Sequence, residues 1–196
     1  MQAYVYYTMI HFLLTYYLLY EMFLSEEVRL QGTIIKRSGK ANDKRLLGDL
    51  VELAKRLRII DVIECMAMGA EDATHGLLLS TACSAQWWIE YECIAGVESP
   101  IWAYGIGDEY HTGLGYCIWF LGSQRLQESK NCQRYFLEES KRIINEWQQQ
   151  GSLWNCISKD NKASIRWLRW LGATFIEGVN LPEGFLLFRL PKKGSE

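Results

Sequence analysis

The chain has 196 residues and a mass of 22.8 kDa, with 49% hydrophobic and 22% charged residues, proportions that fit one ordinary globular domain and exclude a disordered or fibrous chain. Its formal net charge of -2 and pI near 6.0 exclude an overall positive field that would draw it onto nucleic acid, so no specific nucleic-acid partner is expected. The cysteines, at 65, 83, 93, 117, 132 and 156, include no C-x-x-C pair, and His11, His75 and His111 are scattered, which argues against a disulfide framework and against a structural metal.

The first stretch is apolar. Residues 1–20, MQAYVYYTMIHFLLTYYLLY, hold no charge, and the apolar character continues to Leu24. About 20 such residues can cross a bilayer core, and Arg29, Lys36, Arg37, Lys40, Lys44 and Arg45 beyond them would then hold the rest of the chain in the cytoplasm. The basic n-region and small-residue cleavage site of a signal peptide are missing, and six tyrosines make the stretch less lipid-like than a Leu/Ile/Val segment. Three readings compete: membrane contact through residues 1–24, a packed apolar helix, or an extension upstream of a start at Met22. The extension is preferred, with residues 1–30 outside the core fold and 31–196 forming the domain.

From there the signals become regular. GTIIKR (32–37) is a β-branched run before a polar turn, and so a first strand. Asn42 or Asp43 can cap the next helix, in which Leu46, Leu47, Leu50, Leu53, Ala54 and Leu57 recur at helical spacing. A second helix covers roughly Ile59 to Met68 and stops at Gly69. The aromatic and β-branched runs QWWIEYECI (86–94), PIWAYGIG (100–107) and GYCIWFLG (115–122) predict three successive antiparallel strands. A long helix follows, with Cys132, Tyr135, Phe136, Ile143, Ile144 and Trp147 on one side and Gly151 at its end. SLWNCIS (152–158) is a strand, NKASIRWLRWLG a capped helix, and ATFIEGV (173–179) and GFLLFRL (184–190) are strands joined through LPEG. The predicted order is β-α-α-β-β-β-α-β-α-β-β.

Some local patterns have ordinary explanations. GIGDEYHTGLG (105–115) has the glycines of a phosphate loop, yet it joins strand to strand where such a loop must join strand to helix, so a hairpin connection is expected. Lys162, Arg166 and Arg169 form a narrow basic stripe on the penultimate helix, as a solvated face does. The eight tryptophans exceed the needs of one core, and an excess at one edge would mark a protein contact surface.

The order of elements resembles the GNAT N-acetyltransferase fold: a single α/β domain with a mixed, mostly antiparallel sheet and helices on both faces. LWNCISKDNKASIRWLRWLGATFIE (153–177) carries a closer likeness, through Leu153-Trp154-Asn155, Asn161, Ile165-Arg166, Leu168, Leu171-Gly172 and Ala173 before Phe175. It is similar to the internal virion protein family of short-tailed phages, whose members end in a GNAT-like half. Weaker likeness extends to LVELAKRLRIIDVIECMAMG (50–69) and SPIWAYGIG (99–107). The resemblance implies a role in virion assembly, partners among other phage or host proteins, and a place in the host cytoplasm or the virion.

Two departures from the acetyltransferase pattern bear on activity. The superfamily's R/Q-x-x-G-x-G/A loop brings backbone N–H groups onto a pyrophosphate, whereas LGSQRLQESKNCQRYF (121–136) has only Gly122, at the strand end, with Glu128 in the loop. The second motif, N-x-x-A-x-x-x-Y-x-x-x-G-F, finds Asn161 and Gly172, but Leu168 stands where the tyrosine would protonate the departing thiolate. No cofactor is expected, and the non-catalytic reading leads. The alternative is an acetyl-CoA-dependent N-acetyltransferase in which Gly122, Ser123, Gln124, Arg125 and Asn161 hold the cofactor and Glu90, Glu92 or Asp108 serves as base.

Overall fold

A computed structural model describes residues 32–39, 43–177 and 181–194; the apolar segment 1–30, and the membrane contact read from 1–24, lie outside them. The elements are β1 (Thr33–Ser38), α1 (Lys44–Ala54), α2 (Ile59–Ala67), α3 (Ala73–Ala82), β2 (Ser84–Ile94), β3 (Val97–His111), β4 (Gly115–Gly122), α4 (Arg125–Glu128), α5 (Lys130–Gln150), β5 (Leu153–Ser158), α6 (Lys162–Trp170), β6 (Thr174–Ile176) and β7 (Phe185–Leu190). Among the described residues no helix is long and apolar enough to cross a membrane.

The strands form one sheet in the order β1-β2-β3-β4-β5-β7-β6, antiparallel except where β4 meets β5. Alternation along each strand divides the side chains between two cores. Trp87, Ile89 and Tyr91 of β2 join Leu46, Leu50 and Leu53 of α1 and Leu77 of α3 on one face. Trp102, Tyr104 and Ile106 of β3 join Ile143, Ile144 and Trp147 of α5 and Ile165 and Leu168 of α6 on the other.

Local chemistry sets the element ends. Asp43 accepts from the amides of Arg45 and Leu46 and starts α1. Ser129, extended at φ -102 and ψ 115, separates the single turn of α4 from α5 and caps α5 through the Cys132 amide. The β2–β3 turn is Ala95-Gly96, both with positive φ (50° and 80°), the backbone that a two-residue hairpin needs.

The predicted order holds with two additions and one correction. Helix α3 and the turn α4 were not predicted. Residues 108–111, expected in a connection, continue β3 through a register irregularity between Ile106 and Tyr110, so the turn to β4 is only 112–114.

Candidate functional site

Strands β4 and β5 pair only at their beginnings, Tyr116 with Leu153 and Cys117 with Trp154. Gly115 permits the contact: its φ is +108°, and a Cβ there would lie 1.9 Å from the Ser152 carbonyl oxygen. One residue further the Asn155 side chain, not backbone, reaches across to the Ile118 carbonyl at 2.6 Å. Beyond that point the sheet opens into a cleft of about 500 Å³, lined on the α5 face by Trp102, Phe120, Phe136 and Trp167 and on the α3 face by Cys117 and Cys156. Burial pushes the Cys117 thiol up to about 11, away from nucleophilic use at neutral pH.

Helix α2 spans the open end of this cleft. Asp61 and Glu64, three residues apart, share a helix face, and each reaches the end of a different strand. The amide of Gly122, last in β4, donates to Asp61 Oδ2 at 2.9 Å, while Arg58 grips the same carboxylate through Nε at 2.9 Å and Nη2 at 2.6 Å. Both partners are almost fully enclosed, with Arg58 6% and Asp61 1% exposed. The Arg58 amide also donates to the Gly122 carbonyl at 2.9 Å. At the other strand Glu64 Oε1 accepts from the amide of Ser158, last in β5, at 2.9 Å, and Asn161 Nδ2 donates to Oε1 and Oε2 at 3.1 and 3.2 Å. Burial raises the Glu64 carboxyl above the ordinary carboxylate range, against the pull of the Ser158 amide and Asn161.

The backbone after β4 is similarly engaged. The Ser123 amide donates to the Ile101 carbonyl at 2.7 Å, that of Gln124 to Arg56 at 3.0 Å, that of Leu126 to Ser123 at 3.2 Å and that of Gln127 to Gln124 at 2.8 Å. Arg125 makes a two-pronged pair with Glu92, Nε to Oε2 at 2.6 Å and Nη2 to Oε1 at 3.0 Å, which holds its guanidinium pKa above the ordinary value.

The residues singled out from the sequence fall into separate places. Glu90, Asp108 and Asn161 line the cleft, while Glu92, Ser123, Gln124 and Arg125 line a smaller polar pocket of about 350 Å³ with Lys55 and Arg56. Glu90 is 0% exposed and accepts from Tyr104 Oη at 2.7 Å and Trp102 Nε1 at 3.0 Å; burial raises its pKa. Asp108 is exposed on the far part of β3. Asn161 is buried and caps α6, its side-chain oxygen accepting from the Ser164 amide at 3.2 Å. Leu168, at the position of the motif tyrosine, is 2% exposed within the α5-side core. Arg58, Asp61 and Glu64 were not singled out, although a helix with isoleucine, valine and methionine on several sides was a sign that its few charges need not face water. Among the described residues no cluster of three or more His, Cys, Asp or Glu has the arrangement to hold a metal ion.

The comparisons with known proteins agree with this frame. Residues 102–179 match the family described as "Bacteriophage T7, probable scaffold protein Gp13". No curated protein matches the sequence. Among solved structures, a GNAT-family acetyltransferase from Bacillus anthracis superposes with a TM-score of 0.53 at 10% identity, covering 83% of this chain and 98% of that one. The ribosomal-protein-S18-alanine N-acetyltransferase from Escherichia coli gives 0.54 at 11% identity, with 84% and 97% covered. An acetyltransferase from Streptococcus agalactiae gives 0.55 at 11% identity, with 82% and 99% covered. Identities this low speak for the fold alone, so the chain has the GNAT fold, and its segment 102–179 is similar to the T7 Gp13 scaffold family.

Proposed function

We propose that the chain is a non-enzymatic virion-assembly protein of a phage, built on an acetyltransferase frame whose cofactor site is filled by the chain itself. The observation that carries this reading is the pair of α2 carboxylates, Asp61 on the Gly122 amide and Glu64 on the Ser158 amide and the Asn161 side chain. Amides at a strand end followed by a helix are where such a frame would receive phosphate oxygens. Here an internal anion and internal carbonyls already take the amides of Gly122, Ser123 and Gln124. Leu168, buried and without an ionisable proton, supports the same reading from the other motif.

The assembly role rests on the likeness of residues 102–179 to a family described as a probable scaffold protein. Under this reading the chain works in the host cytoplasm or within the virion, against other phage or host proteins, with no cofactor. Complementation tests it: phage lacking the gene for this chain are expected to yield few complete particles, and a plasmid copy is expected to restore them. Normal particle yield without the chain would overturn the assembly role.

A further inference from the structure

Helix α2 is turned inside out. Its inward side carries Arg58, at the helix start, with Asp61 and Glu64, and all three are held by hydrogen bonds to named partners. Its outward side carries Ile59, Ile63 and Met66, 71%, 50% and 54% exposed. The spacing i, i+4, i+7 places the three in one stripe. Single exposed apolar residues are ordinary, whereas a contiguous stripe marks a contact surface. The helix cannot roll to bury it, because rolling would break the Arg58–Asp61 pair and withdraw Glu64 from Ser158 and Asn161, leaving enclosed charges without partners.

The chain on either side of the stripe is charged with opposite sign. Exposed Lys55 and Arg56 precede the helix, and exposed Glu71 and Asp72 follow it. Lys55 is paired with Glu52 at 2.6 Å in its own chain, whereas the Arg56 side chain donates to the Glu52 carbonyl at 3.5 Å and, among the described residues, forms no ion pair within 4 Å. Two copies of such a segment laid parallel would oppose like charges at both ends; laid antiparallel, they bring each basic end to an acidic one. We infer that the α2 stripe pairs with the same stripe of a second copy, antiparallel about a twofold axis near Ile63, with Arg56 of each protomer facing Glu71 of the other. Such an interface is isologous and closes as a dimer. It goes beyond the assembly role and does not depend on it.

Sedimentation velocity of the full chain over a range of concentrations tests the inference. A concentration-dependent dimer is expected, and Ile63→Glu is expected to raise its dissociation constant by roughly tenfold or more, since an apolar contact on each protomer becomes a charge. At concentrations where the wild type is monomeric, its melting temperature is expected to match that of the wild type, because the Ile63 side chain faces outward. Arg56→Glu and Glu71→Lys are each expected to weaken the dimer, and the double exchange to restore it. A wild-type chain that stays monomeric, an assembly unchanged by Ile63→Glu, or a double exchange without recovery would each overturn the inference.

Discussion

Glu64 is the residue whose setting departs most from its appearance in sequence. In a helix it reads as solvated charge, yet it sits at the end of β5 and accepts hydrogen bonds from Ser158 and Asn161. Its folded pKa is raised, chiefly by burial, so the folded chain keeps a proton there that the unfolded chain has released. Stability from this group therefore falls as pH rises from the ordinary carboxylate range through the raised value. Glu64→Gln does not titrate, and in urea unfolding its stability relative to wild type is expected to increase as pH rises above the ordinary carboxylate range. A difference that stays constant over that rise would contradict the assignment. Asn161 was legible because a motif names it and Gly122 as the one glycine at the end of its strand, and the structure gives each a carboxylate partner from α2. Those partners were not legible, since nothing local to Asp61 or Glu64 says that strand ends 61 and 94 residues away lie beside them.

Among the elements, the meeting of β4 and β5 determines the cleft. Its backbone part is two residue pairs and the hydrogen bond from the Tyr116 amide to the Ser152 carbonyl at 2.9 Å, with the Asn155 and Trp154 side chains donating to the Ile118 and Gly115 carbonyls. Gly115 stands against that carbonyl with positive φ, so Gly115→Ala meets both a collision and a strained backbone. It is expected to destabilise the protein by about 2–4 kcal/mol, seen as a clear drop in melting temperature. A variant that melts within about a degree of wild type would show that the strands do not depend on this close approach. Strands β2 to β4 were legible as aromatic and β-branched runs bounded by turn residues, and helix α5 because its period of 3.6 is clean. Helix α3 was not, because Leu77, Leu78 and Leu79 run consecutively and only Gly76 and Leu77 are buried, so no polar face alternates with an apolar one. Its one local signal was Asp72, which caps it through the His75 amide at 2.7 Å. Helix α2 was legible as a helix, while its orientation depends on tertiary partners.

For the molecule as a whole, the order of elements was enough to suggest the frame, and the superposed acetyltransferases share it. The tryptophans are spent largely inside it: Trp87, Trp102 and Trp147 are buried, and Trp170 is 52% exposed. Among the described residues that distribution gives no broad aromatic edge, and the more contiguous apolar surface lies on α2. The sheet and its two cores keep that frame, and α2 occupies the strand ends of β4 and β5. The most direct test is calorimetric titration of the full-length chain with acetyl-coenzyme A. The account predicts no detectable binding up to roughly millimolar ligand, a free energy weaker than about -4 kcal/mol. Binding in the micromolar range that is lost on Arg125→Ala would contradict it.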